Sequence, residues 1–236
     1  MCSDFSELAP ELLVVLGLLY ILVILALELG GGRSKKLLAT ESLDALQVTL
    51  ISAFAMYALL LVLSPSVNIL DGLFHVDFYV TGLKMLTLLC GLAVMNSSQT
   101  YVASHPKHLL EFPMLLTQAI LFMLLLIGAS HLISAFIALI GFSLNLYVLI
   151  LFDGAAHASR EAGIKYYYLS TFSSGLMVYG MFLIYIILST GNFDEIANGL
   201  RNSAALVEDN LSLLHLAIIL TLVGFSFKLS AFPGHL

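Results

Sequence analysis

The chain has 236 residues, of which 60% are hydrophobic and 10% are charged, and its mean hydropathy is +1.03. A soluble globule needs more polar surface than this, so the composition predicts a polytopic membrane protein. The formal net charge of -6 is spread over short loops without a basic face, which excludes nucleic-acid binding. Cys2 and Cys90 have no CxxC or His partner at metal-ligand spacing, so we expect two reduced thiols and no metal site.

Seven apolar stretches are long enough to cross about 30 Å of hydrocarbon. They cover residues 8–29, 43–63, 79–95, 109–127, 131–152, 165–188 and 211–231. The sequence therefore predicts an all-α, polytopic transmembrane helix bundle that forms a single domain over residues 1–236, with no targeting segment removed. The polar segment 190–210 is expected to be a loop.

The fourth and fifth stretches are separated by a turn rather than by charged residues. No Asp, Glu, Lys or Arg lies between Glu111 and Asp153. One helix over these residues would be about 60 Å long, twice the hydrocarbon core, so the chain must fold back. The segment Gly128-Ala129-Ser130-His131 is the expected turn, and Pro113 falls near a helix start, where a missing backbone donor is harmless.

Lysine and arginine placement predicts the orientation in the membrane. The loops after the first, third and fifth stretches share one side and hold six cations, whereas the opposite side holds only Arg201. The six are Arg33, Lys35, Lys36, Lys107, Arg160 and Lys165. The positive-inside rule then places the N-terminus outside.

Lys228 is the main candidate functional residue, because it lies near the end of the last apolar stretch and is followed by Pro233 and His235. A lysine inside a span usually faces a protein interior or a water-filled cavity, and a proline just beyond it interrupts the helix where backbone lines such a cavity. These features favour an ion path, in which His235 could relay a proton. The alternative is that Lys228 extends its amine to the interface.

Two other lysines have competing interpretations. Lys84 lies early in the third stretch, where a lone lysine more often extends to the membrane surface than serves a site. Lys165 follows Glu161 by four residues, so a surface salt bridge within one helix is the simpler interpretation.

Three stretches resemble one known family. They are Leu144-Asn145-Leu146-Tyr147-Val148-Leu149, Glu161 to Tyr166 leading into Ser173 to Gly180, and Gly224-Phe225-Ser226-Phe227-Lys228-Leu229-Ser230-Ala231-Phe232-Pro233-Gly234-His235. They resemble NADH dehydrogenase subunit 2, the antiporter-like membrane subunit of respiratory complex I, closest to its mitochondrial form. The likeness extends over about residues 76–235 and is specific in its last third.

The resemblance implies the first half of an antiporter-like inverted-repeat fold in the mitochondrial inner membrane, with the N-terminus on the intermembrane-space side. It implies that Lys228, Lys165, His235 and Lys84 belong to a proton path. No cofactor is expected on this chain, although the whole complex would use NADH, FMN, iron–sulfur clusters and ubiquinone. The implied partners are membrane lipid, other membrane-arm subunits and a separate chain that completes the subunit.

One departure from the family pattern affects the function. The family usually pairs the seventh-helix lysine with a fifth-helix glutamate, but the matching position here is Ile140. Three functions therefore stay open: a proton-translocating subunit of complex I, a structural membrane-arm subunit whose proton path has lapsed, and a component of a cation/proton antiporter.

Overall fold

The computed structural model describes residues 46–59, 67–69, 72–104, 111–152, 157–202 and 211–229. The predicted first span, residues 8–29, lies outside the described residues, as do Pro233 and His235. Seven helices and two short strands make up the described part. In chain order they are α1 (Leu46–Leu59), β1 (Val67–Ile69), β2 (Phe74–Val76), α2 (Phe78–Ser104), α3 (Glu111–Gly128), α4 (Leu132–Ile150), α5 (His157–Leu188), α6 (Phe193–Asn202) and α7 (Leu211–Lys228). The predicted all-α bundle is confirmed.

Four of these helices, α2 to α5, are long and apolar enough to cross a membrane. Only 28–33% of the most apolar part of each is buried inside the chain, so most of their apolar surface faces outward. Such a surface is suited to lipid or to neighbouring subunits rather than to water. α5 is longer than the predicted sixth span, because it starts at His157 and its charged first turns extend beyond the apolar part.

The fold-back between the fourth and fifth predicted spans lies where the sequence placed it. α3 ends at Gly128 and α4 begins at Leu132, with His131 as its N-cap. The His131 ring accepts a hydrogen bond from the Ile133 backbone N–H, and Ser134 completes the cap. Such a cap satisfies amide donors that the first turn of a helix would leave unpaired.

Short backbone bridges tie together the end of the bundle that carries this turn, which we call the Gly128 end. The hairpin β1–β2 turns at Gly72, whose φ of +86° is a conformation that favours glycine. Its strand β2 pairs with the turn through a bridge between Phe74 and Ala129. On the other side of the turn, His131 bridges to Asn192. Three segments that are distant in sequence are thereby connected by main-chain contacts.

The expectation of a featureless loop over residues 190–210 is wrong for its first part. Residues Phe193–Asn202 form the helix α6, and the Asn192 side chain accepts a hydrogen bond from the Asp194 backbone N–H at its start. Asp194 lies in its first turn and Arg201 in its last, which is the charge arrangement that the helix dipole favours. Ile196 packs against the core, so the short helix is held to the bundle.

Two hydrophobic clusters form the core. One joins α1, α2 and α3 around Leu50, Leu88 and Leu124, all fully buried. The other joins α4, α5 and α7 around Leu139, Met177 and Phe225. The second cluster positions α7, and with it Lys228.

Small residues allow α5 and α7 to approach closely. A Cβ atom at Gly180 would lie 2.7 Å from the Ala217 carbonyl oxygen, and one at Gly224 would lie 2.9 Å from the Met177 backbone nitrogen. The buried Ser173 hydroxyl donates a 3.0 Å hydrogen bond to the Gly224 carbonyl. Close backbone approach of this kind is the usual basis of helix association in membranes.

Gly180→Ala is expected to destabilise the protein although alanine favours helices, because the added methyl meets the backbone of α7. The expected loss is about 1–3 kcal/mol, typical of an overpacked contact. Gly175→Ala is the matched control on the same helix, since a Cβ there meets nothing within 4 Å. Thermal unfolding in detergent should therefore move in opposite directions for the two variants. A Gly180→Ala protein as stable as Gly175→Ala would contradict the packing described here.

Candidate functional site

Lys228 is half-buried at the end of α7, and its amine turns toward α4 rather than toward the membrane surface. Lys228 Nζ donates a 3.2 Å hydrogen bond to Ser143 Oγ and has a longer contact, 3.5 Å, with the Leu139 carbonyl oxygen. Ser143 Oγ is itself 2.7 Å from the same carbonyl, to which it donates. The amine therefore completes a small polar triangle on α4.

The triangle lies at the middle of α4. The helix has 19 residues and spans Leu132–Ile150, so Leu139 and Ser143 flank its centre. At 1.5 Å per residue, α4 is about as long as the hydrocarbon core is thick. The Lys228 amine consequently contacts α4 at a depth where an isolated ammonium would be costly, and the two oxygen acceptors reduce that cost.

Neither acceptor is a carboxylate. Ile140, which occupies the position where the family resemblance implies a glutamate, lies between Leu139 and Ser143. Residues three apart on a helix share a face, so Ser143 presents its hydroxyl on the same side of α4 as Ile140. The amine meets a neutral hydroxyl where the family pattern would supply a negative charge.

Tyr166 brings a phenol from α5 to the same part of the bundle, and its side chain is partly buried. Tyr166 and Ser143 both line one cleft between α4 and α5. The Lys228 amine contacts Ser143 from α7. Polar groups from three helices therefore lie near Ser143.

An open cleft of about 160 Å³ lies beside this point, between α4 and α5. Ile140, Ser143 and Tyr166 line it, together with Tyr147 and Ser170. The cleft is large enough for a water molecule beside the hydroxyls of Ser143 and Tyr166, although most of its exposed lining is apolar. The site consequently adjoins an opening in the bundle.

Lys84 is buried, so the interpretation that it extends its amine to the membrane surface is wrong. Only 3% of its surface is exposed, and its amine lies 5.6 Å from the centre of the Tyr57 ring. That distance is within the range of a cation–π contact. The amine also lies close to Gly128, where a Cβ would be 3.0 Å from Nζ, at the C-terminal end of α3 that favours a cation.

Lys165 forms a 2.7 Å salt bridge with Glu161, four residues earlier on α5. Both side chains are exposed, at 75% for Lys165 and 55% for Glu161. The geometry is that of the surface pair which the sequence favoured. Exposed pairs of this kind contribute little to stability.

The described residues therefore do not bring the predicted site lysines together. Lys228 contacts α4, Lys84 contacts Tyr57 and the end of α3, and Lys165 pairs within its own helix. His235 lies outside the described residues. The sequence interpretation missed Ser143 and Tyr166. Ser143 could have been found, because it lies three residues after Ile140 and therefore on the same face of the helix.

Fold and site together define a polytopic helical membrane domain with an amine held at mid-depth between helices. Residues 129–236 match a protein family described as NADH:quinone oxidoreductase/Mrp antiporter, transmembrane. The match includes α4, α5 and α7, and hence Lys228 and each of its contacts named above.

Curated relatives are named as subunits of NADH-quinone oxidoreductase. The chain is 34% identical over 228 residues to NADH-quinone oxidoreductase subunit N 1 of Rhizobium meliloti. This alignment covers 96% of this chain and 44% of the relative. It is 31% identical over 236 residues to subunit N of Parvibaculum lavamentivorans, covering 99% of this chain and 46% of the relative. The chain thus spans slightly less than half the length of these bacterial relatives.

Two solved structures share the fold. A chain of respiratory complex I from Thermus thermophilus with bound aureothin superposes with a TM-score of 0.71 at 21% identity, over 96% of this chain and 45% of that chain. A chain of the membrane-bound sulfane sulfur reductase, an archaeal respiratory membrane complex, superposes with a TM-score of 0.81 at 15% identity. This match covers 98% of this chain and 46% of that chain. The antiporter-like helical fold class is therefore confirmed.

Amine labelling should distinguish the exposed Lys165 from the buried Lys84. In membrane vesicles opened to both sides, a water-soluble amine reagent is expected to modify Lys165 about tenfold faster than Lys84, because a buried amine is inaccessible to it. Lys165 serves as the internal positive control, and peptide mass spectrometry gives the extent at each position. Equal labelling of Lys84 and Lys165 would restore the surface interpretation of Lys84.

Proposed function

We propose that this chain is a core membrane-arm subunit of a proton-pumping NADH:quinone oxidoreductase and contributes an antiporter-like proton channel coupled to quinone reduction. The observation that carries the proposal is the Lys228 amine, which hydrogen-bonds at the centre of a membrane-length helix. The relatives named above, at 34% and 31% identity, support the same assignment.

The physical basis is the cost of charge at this depth. A lysine within the hydrocarbon is expensive when charged, so such residues usually mark ion or proton routes. Because charges interact more strongly in a medium of low dielectric constant, a change of charge nearby alters the balance between ammonium and amine. Lys228 is thereby suited to release and regain one proton in each cycle.

The redox chemistry of such a complex would lie on other subunits. The complex would use NADH, FMN, iron–sulfur clusters and ubiquinone, whereas the described residues of this chain contain no group of three or more His, Cys, Asp or Glu that could hold a metal ion. We assign this chain the proton path and no cofactor. Lys84, Lys165 and His235 remain predicted members of that path.

A structural membrane-arm subunit is the second candidate function. It is favoured by Ile140, since the amine has no carboxylate among the contacts described above, and by Lys165, which pairs on the surface. A component of a cation/proton antiporter is the third, and the family description includes Mrp antiporters. Proton measurements on a Lys228 variant distinguish the first function from the second.

We further propose that the chain forms one transmembrane domain of the mitochondrial type, lies in the mitochondrial inner membrane and has its N-terminus on the intermembrane-space side. The six-to-one distribution of loop cations supports the orientation. The chain spans less than half the length of its curated relatives, and a separate chain for the other half stays a prediction of the family resemblance. Other membrane-arm subunits and lipid would cover the outward apolar faces.

Lys228→Ala is expected to lower proton translocation by the assembled complex by about tenfold or more, because the variant removes a positioned proton-transfer group. Proton uptake and NADH oxidation are measured together in native membrane vesicles. Arg201→Ala is the control, since it removes an exposed cation at the end of α6. Unchanged pumping in the Lys228→Ala complex would eliminate the proton-channel function and leave the structural one.

Thiol labelling should test the orientation. Cysteines introduced as Lys165→Cys and Arg201→Cys are expected to react with a membrane-impermeant reagent from opposite sides, with Arg201→Cys reacting from the intermembrane-space side. The unsubstituted protein gives the background from Cys2 and Cys90. Reaction of both variants from the same side would refute the proposed topology.

A further inference from the structure

Ser143 lies on α4 between a polar side chain of α7 and one of α5. The Lys228 amine donates to its hydroxyl at 3.2 Å, and Tyr166 lines the same cleft as Ser143. A hydroxyl is both a donor and an acceptor, so it can receive a proton on one side while it gives its own to the other. Neither the Leu139 carbonyl nor the Ile140 side chain has a proton to give.

The position of this hydroxyl allows it to act in transport. It lies at the centre of α4, and Tyr166 borders the cleft of about 160 Å³ between α4 and α5. The Lys228 amine thus contacts one hydroxyl of the cleft lining, and the Tyr166 phenol belongs to the same lining. None of the residues that line the cleft carries a carboxylate.

We propose, resting on the proton-channel function above, that Ser143 is the proton-transfer partner of Lys228 and that Tyr166 is the next group. The Lys228 ammonium breaks one N–H bond and gives the proton to Ser143 Oγ. In the same step Ser143 gives its hydroxyl proton to the Tyr166 oxygen, and Tyr166 gives its phenol proton to a water molecule in the cleft. One proton has moved from Lys228 to water, the lysine is neutral and both hydroxyls are restored.

The hydroxyl of Ser143 must turn for this transfer. It donates to the Leu139 carbonyl at 2.7 Å in the structure, and rotation about the Cβ–Oγ bond directs it to Tyr166 instead. When the hydroxyl points to Leu139, the connection to Tyr166 lacks its donor and the proton stays on the lysine. The carbonyl thereby provides the resting partner of the hydroxyl.

The test compares Lys228→Ala with four further single variants in the assembled complex in native vesicles, with proton uptake and NADH oxidation as readouts. Ser143→Ala and Tyr166→Phe each remove one hydroxyl and are expected to reduce proton translocation by about tenfold. Ser143→Thr keeps the hydroxyl and should retain pumping close to that of the unsubstituted complex. Ser226→Ala is the matched control and should leave pumping unchanged, because Ser226 is a serine of α7 that does not line the cleft and donates to the Leu222 carbonyl.

Each outcome decides between distinct explanations. Normal pumping in Ser143→Ala and Tyr166→Phe, together with lost pumping in Lys228→Ala, overturns the hydroxyl connection and leaves the proton-channel function standing. Normal pumping in Lys228→Ala overturns both. Equal losses in Ser143→Thr and Ser143→Ala assign Ser143 a packing role instead. If Ser143→Ala fails to assemble, as judged by native gel electrophoresis, Tyr166→Phe decides alone, since it removes a single oxygen atom.

Discussion

The structure around the candidate site depends on one interaction, the contact of the Lys228 amine with the middle of α4. An amine at that depth needs oxygen acceptors, and α4 supplies them with the Ser143 hydroxyl and the Leu139 carbonyl. The carbonyl is also the acceptor of the Ser143 hydroxyl, so the helix offers the ammonium two oxygens one turn apart. Everything that positions α7 relative to α4 therefore acts on this contact.

Packing between α5 and α7 provides that positioning. Gly180 and Gly224 let the two backbones approach, and Ser173 adds a hydrogen bond between the helices beside Gly224, one turn before Lys228. At the Gly128 end, backbone bridges connect the hairpin, the turn at Gly128–His131 and the segment before α6. The outer connections thus use main-chain hydrogen bonds, which are insensitive to side-chain identity, whereas the contact at Lys228 depends on individual side chains.

Apolar stretches in the sequence predicted the described membrane-length helices α2 to α5 and the fold-back at Gly128, because a hydrocarbon-spanning helix needs a long run of apolar residues. The hairpin β1–β2 was not predicted, since strands of three residues are too short for a hydrophobic period to show. α6 was missed although Asn192, the acidic first turn and Arg201 are helix signals, because its polar composition resembled a loop. Burial of Lys84 could not be deduced from position, since it depends on Tyr57, 27 residues earlier in the chain.

The contact between Lys228 and Ser143 could not be deduced from their separation of 85 residues, although the place of Ser143 three residues after Ile140 was an indication. Ile140 stands where the family resemblance implies a carboxylate, and this departure suggested that the proton path has lapsed. The reason is that an ammonium without a negative partner is costly in hydrocarbon. The structure removes part of that difficulty, because a hydroxyl and a carbonyl lower the cost of the charge without neutralising it. A carboxylate beside the ammonium would stabilise the charged form and hold the proton, whereas neutral acceptors stabilise it less. Replacement of a charged partner by a hydroxyl is therefore compatible with proton release from Lys228, and the isoleucine at position 140 does not by itself indicate a structural subunit.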